Sequence, residues 1–166
     1  HPITGKTLQP KPPDGPLVDM PDGIDPRARL VDWMVEPNNP FFARAMVNRV
    51  WGAFFGRGLV EPVDDMRASN PPVNAALLDA LAKHFVELKY DQKKLIKTIL
   101  QSRLYQLSSK PNESNVADTR NFSRSYRRRL SAEVLMDAVS DVTGVPTSFS
   151  ATWNGARAME TWNFKI

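Results

Sequence analysis

Cysteine is absent from this 166-residue chain, and histidine occurs only at His1 and His84. The first absence removes disulfides, thiolate nucleophiles and every thiolate-bound zinc or iron–sulfur centre, and leaves the redox compartment open. The second prevents a multi-histidine metal site, and any Ser-His-Asp arrangement would have to use His84. No run of about 18 apolar residues exists, so no segment spans a membrane as a helix. The chain begins at His1 with neither an initiating Met nor a charged-then-apolar leader. A fragment or processed product of something longer is therefore expected.

What is present describes an ordinary folded chain. Hydrophobic residues make up 42% and charged residues 24%, enough apolar surface for one domain with a real core. The formal net charge of +4 comes from lysines and arginines spread along the chain, apart from the basic patch Arg127, Arg128 and Arg129. Tracking phosphates requires charge clustered on one face, so this excess makes no claim on nucleic acid.

Prolines at 2, 10, 12, 13, 16 and 21 make residues 1–24 a proline-rich linker or strap with extended backbone. A helical domain follows over 25–144, and 145–166 is a tail with no defensible periodicity that contains Trp153 and Trp162. Within the domain, Asp25-Pro26 opens a short helix bearing Leu30, Trp33 and Met34. Asn39-Pro40 opens another that runs to about Phe55, with Gly56 and Gly58 as stops. Its apolar residues point almost all round, the mark of a central helix. Leucines 77, 78, 81 and 88 with Phe85 stripe a third helix over 74–88, and Asp91 caps a fourth reaching about Tyr105. Residues 108–129 read as irregular with a turn near Phe122. Ser131 starts a last helix closed by Gly144 and Pro146. The expected fold is all-α: about five helices around the central apolar helix (about 40–55), with long ordered loops.

At about 100° per residue, Arg49 falls among Phe42, Ala45 and Ala53, and Arg103 between Ile96 and Ile99. Both are expected to be buried, and a buried guanidinium requires carboxylate or carbonyl partners. Asp64, Asp65, Glu133 and Asp137 are the candidates, the last two lying one helical turn apart. These six residues make a structural ion-pair network, or else an anion- or carboxylate-binding pocket or a pair of acids with shifted pKa suited to proton transfer. The structural reading outweighs the functional one. On it, Arg49→Met strands a buried carboxylate. Asn48-Arg49-x-Trp51 and Gly56-Arg57-Gly58 look motif-like, but Gly-Arg-Gly lacks the length and setting of a phosphate loop and is better explained as a helix C-cap. His84, at the edge of the leucine stripe, reads as a half-buried packing residue.

Taken together, Asp25-Pro26-Arg27, Asn39-Pro40-Phe41-Phe42-Ala43-Arg44, Val47-Asn48-Arg49-Val50-Trp51 and Phe55-Gly56-Arg57-Gly58-Leu59-Val60 resemble a domain of unknown function common in planctomycetes and related bacteria. The resemblance continues through Asp64-Asp65, Asn70-Pro71-Pro72, Leu77-Leu78-Asp79, Ser102-Arg103, Arg128-Arg129-Leu130, Ala132-Glu133 and Asp137-Ala138, and covers about Asp25 to Gly144. It implies a large exported multidomain protein in which a cytochrome-c-like domain often accompanies this module, and hence an extracytoplasmic location. It implies no activity. With no Cys-x-x-Cys-His here, no cofactor is expected in this chain and any haem sits on another domain. The tail from Trp153 to Ile166 departs from the family pattern.

Three functions compete. The first is a non-catalytic helical interaction or architectural module that docks on other domains of the parent chain or on a surface protein. The second is a carbohydrate-binding or hydrolytic site built from Asp64, Asp65, Glu133 and Asp137 with Arg49 and Arg103. The third and weakest is nucleic-acid binding through Arg124 and Arg127 to Arg129. No metal ligand set is expected, and the balance leans away from an enzyme.

Overall fold

Wherever the sequence sets a short polar side chain before an apolar run, a helix begins. In a computed structural model, which describes residues 1–12, 15–19, 23, 25–149 and 152–161, these are α1 (Pro26–Met34), α2 (Phe42–Phe55), α3 (Ala75–Glu87), α4 (Gln92–Gln101) and α5 (Ala132–Thr143), followed by a 3-10 turn at Ala158–Glu160. No strand occurs among the described residues, so the protein is mainly helical. Asp25, Asn74, Asp91 and Ser131 each accept a backbone N–H of the first turn, from Arg27, Leu77, Lys94 and Val134. Each cap satisfies one of the donors that a helix start leaves without a partner. Asn39 acts two residues earlier than a standard cap. Its Oδ1 accepts from both Phe41 and Phe42 N–H, at 2.9 and 3.0 Å, so α2 starts at Phe42 and not at Pro40.

The chain forms two compact units, His1–Tyr126 and Arg127–Ile166. Helix α5, expected as the last helix of a 25–144 body, clusters instead with the residues that follow it. In the strap, residues 13, 14, 20–22 and 24 lie outside the described residues, and so does the end of the tail with Trp162. The described strap is irregular and largely exposed. Val18 N–H donates to Pro10 O, and Pro10, Pro12 and Val18 line a groove of about 260 Å³ with Leu30 and Trp33 of α1.

In the first unit α2 packs on α3, and α3 on α4. Ala43, Val47 and Trp51 of α2 meet Leu78, Ala82 and Phe85 of α3 and Leu95 and Ile99 of α4, with Leu59, Val60 and Phe122 supplied by loops. Burying each large side chain of this set contributes about 1.5–3 kcal/mol. Trp51 stacks on Phe55 at 4.1 Å between ring centroids, and Phe122 stands edge-on to both rings. Helix α2 is not sunk on all sides: it buries the stripe Ala43, Val47, Asn48 and Trp51, while Phe42, Met46, Val50, Phe54 and Phe55 are half-buried and Arg49 is exposed.

Two loops owe their shape to single side chains. Between α3 and α4, Lys89 and Tyr90 adopt left-handed backbone (φ 54° and 60°), which is costly for non-glycine residues. Tyr90 offsets that cost by setting its ring against Phe42 and Phe85 and donating its hydroxyl to Val35 O at 3.0 Å. In the polar 108–126 stretch, Asp118 accepts from the N–H groups of Arg120, Asn121 and Ser123 and from the Ser123 and Tyr126 hydroxyls. The Ser123 hydroxyl and the three N–H groups hold its carboxyl well below the usual carboxylate range. The loop so formed inserts Phe122 into the core.

Asn48 joins α2 to the segment beyond it. Fully buried, it donates Nδ2 to Val60 O and Val63 O and accepts Val60 N–H on Oδ1, all at 2.9 Å. Gly58 lies against this clamp. A Cβ there would come within 2.2 Å of Val60 O and 2.9 Å of Asn48 Nδ2, so the tight turn to Val60 under the Asn48 side chain, and not only helix termination, requires this glycine. Truncating Asn48 would leave the buried N–H and C=O of Val60 and the part-buried Val63 C=O without this partner. Asn48→Ala is expected to lower stability by about 3 kcal/mol, measured as the shift of the urea-unfolding midpoint followed by circular dichroism.

Candidate functional site

The six residues singled out by the sequence divide between the two units, four in the first and two in the second. Arg49, on the solvent side of α2, donates Nη2 to Asp64 Oδ1 at 2.7 Å, and both side chains are exposed, at 60% and 66%. The pairing is the expected one, but its burial is not: Val47, Asn48 and Trp51 take the inward face, and Arg49 follows Asn48 by about 100° of helix. Asp65 is held by a neighbour, its two oxygens accepting from Arg67 Nε and Nη2 at 2.6 and 2.7 Å. The Arg67 guanidinium keeps the Asp65 carboxyl below its ordinary value.

Arg103 is also exposed. Helix α4 stops at Gln101 because Ser102 turns to extended backbone (φ −66°, ψ 144°), donating its hydroxyl to Ile99 O and accepting Tyr105 N–H. Arg103 therefore lies beyond the helix on which its inward position was reckoned, and among the described residues it makes no ion pair.

In the second unit, Asp137 is the one buried residue of α5, 8% exposed. Its Oδ1 accepts Ala158 N–H at 2.7 Å and its Oδ2 accepts Met159 N–H at 3.2 Å, with Arg157 Nε 3.5 Å away. Burial pushes the carboxyl up, but the two N–H groups and the Arg157 charge outweigh it and leave its pKa below the ordinary value. Arg157 reaches one turn further and grips Asp141 with both terminal nitrogens, at 3.1 and 2.8 Å. Glu133, one turn before Asp137, is half-buried in the first turn of α5, where its charge suits the positive helix end. A groove of about 330 Å³ opens here, lined by Asp137, Ser140, Asp141, Thr147, Phe149 and Arg157 among others.

The remaining candidates stay apart from these. Arg127, Arg128 and Arg129 are exposed in the extended lead into α5. His84 is half-buried, its Nε2 3.2 Å from the Thr98 hydroxyl and its Nδ1 3.9 Å from Glu87. A groove in the first unit of about 450 Å³ contains Arg44, Asp79, Lys83 and Glu87, with Arg44 Nε 3.3 Å from Asp79. Among the described residues no three acids or histidines gather in a way that could hold a metal ion.

Residues 26–159 match a family model described as PSD1, protein of unknown function (DUF1553). The chain belongs to the PSD1 family. No curated protein and no solved structure matches it. The PSD1 match begins at the first residue of α1 and ends inside the 3-10 turn. It thus takes in parts of both units and extends past Gly144 to Met159, so the first residues of the stretch from Trp153, expected to depart from the family pattern, lie within the matched region. The Asp137 cradle, which joins α5 to that stretch, lies within the matched residues.

Arg157 and the Asp118 loop had no signal in the sequence, since an arginine after glycine and alanine and an aspartate in a polar loop are unremarkable locally. Asn48 had one: a carboxamide on the stripe of an apolar helix demands buried partners. Because the Arg49–Asp64 pair is solvated, Arg49→Met is expected to change stability by less than about 1 kcal/mol, read from thermal or urea unfolding. Asp137→Ala is expected to release the 3-10 turn, seen as lost hydrogen-exchange protection at the Ala158 and Met159 amides. A carboxyl with a lowered folded pKa contributes stability above its unfolded pKa and loses it as pH falls through the folded value. The same protection in the unmutated chain should therefore persist at neutral pH and vanish only below the usual carboxylate range.

Proposed function

We propose that this PSD1 domain is a non-catalytic helical interaction module within a larger extracytoplasmic multidomain protein, and that it docks through α5. The burial of α5 carries this reading. Its acidic side turns inward through Asp137, while Leu135, Met136, Val139 and Val142 remain exposed. A contiguous apolar helix face left to solvent marks an interaction site in a folded protein. The export and cytochrome-c-like companion implied by the sequence resemblance suit such a role: partners would be other domains of the parent chain or a surface protein, and any haem would belong to one of those.

The state of the carboxylates supports the same reading. General acid–base chemistry near neutral pH needs a carboxyl raised towards neutrality, whereas Asp65 and Asp137 are both lowered and engaged with donors. One observation favours the alternative, a carbohydrate-binding or hydrolytic site: the groove beside Asp137 combines carboxylates, hydroxyls, a guanidinium and Phe149. A panel of glycosidic, ester and phosphate substrates decides between them. No turnover is expected, and turnover abolished by Asp137→Asn or Asp64→Asn would sink the non-catalytic reading.

A further inference from the structure

Asn154 stands directly before Gly155, and no other asparagine of the sequence precedes a glycine. The pair forms the tip of a turn in the second unit. Ala156 N–H donates to Trp153 O at 3.2 Å, Gly155 takes left-handed backbone (φ 84°), and both Asn154 and Gly155 are exposed. Asn154 keeps an ordinary negative φ, so this is the turn type that favours glycine at its third position. Among the described residues, neither the Asn154 carboxamide nor the Gly155 N–H makes a hydrogen bond, and a Cβ at Gly155 would meet no atom within 4 Å. The Gly155 nitrogen, the Asn154 side-chain carbonyl and the space in which their peptide plane can swing therefore all lie in solvent. Other asparagines lack this combination: Asn48 is locked in its buried clamp, and Asn39 and Asn70 precede prolines, which carry no N–H.

We propose that Asn154 is a site of spontaneous deamidation, a covalent change that sets a new carboxylate beside the groove containing Asp137, Asp141 and Arg157. The Gly155 amide nitrogen, having given up its proton to hydroxide, bonds to Asn154 Cγ. The Cγ–Nδ2 bond breaks, and Nδ2 takes a proton from water and leaves as ammonia. Water then opens the resulting succinimide ring at either carbonyl. Breaking the bond from Cγ to the Gly155 nitrogen gives an aspartate on an ordinary main chain. Breaking the bond from the backbone carbonyl carbon of residue 154 gives isoaspartate, whose main chain runs through Cγ. Water is the co-reactant, ammonia is the group lost, and no oxidant or reductant is needed. Gly155, Ala156 and Arg157 line the groove, and Arg157 already serves both Asp137 and Asp141, so a further carboxylate nearby leaves the cluster with excess negative charge. The isoaspartyl product does more, because the added carbon in the main chain breaks the hydrogen bond from Ala156 to Trp153. Ala156 and Ala158 are both buried, and Ala158 N–H is held by Asp137, so the disturbance passes into the cradle. The reaction needs no partner and stands apart from the docking role of α5.

Ageing the whole chain at neutral and mildly alkaline pH tests the site. The modified fraction is read by mass spectrometry of the peptide spanning Asn154, and isoaspartate by an isoaspartate-specific methyltransferase. An exposed turn opens at little cost, so the folded chain should deamidate at Asn154 within about tenfold of the rate in the guanidinium-unfolded chain, and faster as hydroxide rises. Asn154→Gln should remove the change, because its longer side chain must close a larger, slower-forming ring. A folded rate more than about a hundredfold below the unfolded one means that the turn protects the pair, and overturns the proposal. Hydrogen-exchange protection of the Ala158 and Met159 amides should fall as isoaspartate forms. Freshly prepared Asn154→Asp, which carries the charge without the added carbon, should keep most of that protection. Undiminished protection in a chain largely converted to isoaspartate overturns the link to the Asp137 cradle.

Discussion

Asn48 places a carboxamide where no water reaches, on the inward stripe of α2 between Val47 and Trp51. Its donor and acceptor must therefore be satisfied by protein, and the groups that answer are the backbone of Val60 and Val63. Much else in the first unit depends on this. The chain leaving α2 must double back closely enough to reach Asn48, which excludes a side chain at Gly58. Once held there, Leu59 and Val60 enter the same core as α3 and α4. A single buried polar residue thus fixes the path of a loop by the cost of leaving it unpaired.

Carboxylates do comparable work elsewhere in the chain, by organising backbone and not by pairing with distant charges. Asp118 gathers the N–H groups of Arg120, Asn121 and Ser123 and two hydroxyls and so delivers Phe122 to the core. Asp137 receives the N–H groups that open the 3-10 turn, with Arg157 balancing it and Asp141 together. In both places an ionised side chain meets the hydrogen-bonding need of irregular backbone that no helix or strand would satisfy. The acids are lowered in pKa for the reason that makes them structural: donors surround the charged form.

This division of labour bears on function. Where polar groups are consumed in holding the fold, the parts of the surface still unsatisfied are apolar, and α5 is the clearest of them. Its amphipathic pattern is that of a core helix, yet its buried side is acidic and its exposed side hydrophobic. Membership of the PSD1 family, whose description names no activity, is compatible with a module whose task is contact.

Local chemistry made the helices legible in the sequence. Asp25, Asn39, Asn74, Asp91 and Ser131 announce helix starts, Gly56 and Gly144 announce ends, and the leucine stripe of α3 announces a buried face, because capping and periodicity are set by neighbours a few residues away. The family resemblance was legible for the same reason, being carried by short strings of residues. Burial of individual arginines was not. Reckoning Arg49 and Arg103 inward required knowing how wide a face α2 buries and where α4 ends, and both were decided by Asn48 and Ser102 through contacts and backbone angles outside any periodic pattern. The partners of Asp137 lie some twenty residues away in a stretch without periodicity, so only the tertiary fold could bring them together. The sequence by itself determined a mainly helical chain and the types of groups available. Which acid met which donor, and which apolar face was left open, was settled by long-range packing, where satisfying buried polar groups outweighs local preference.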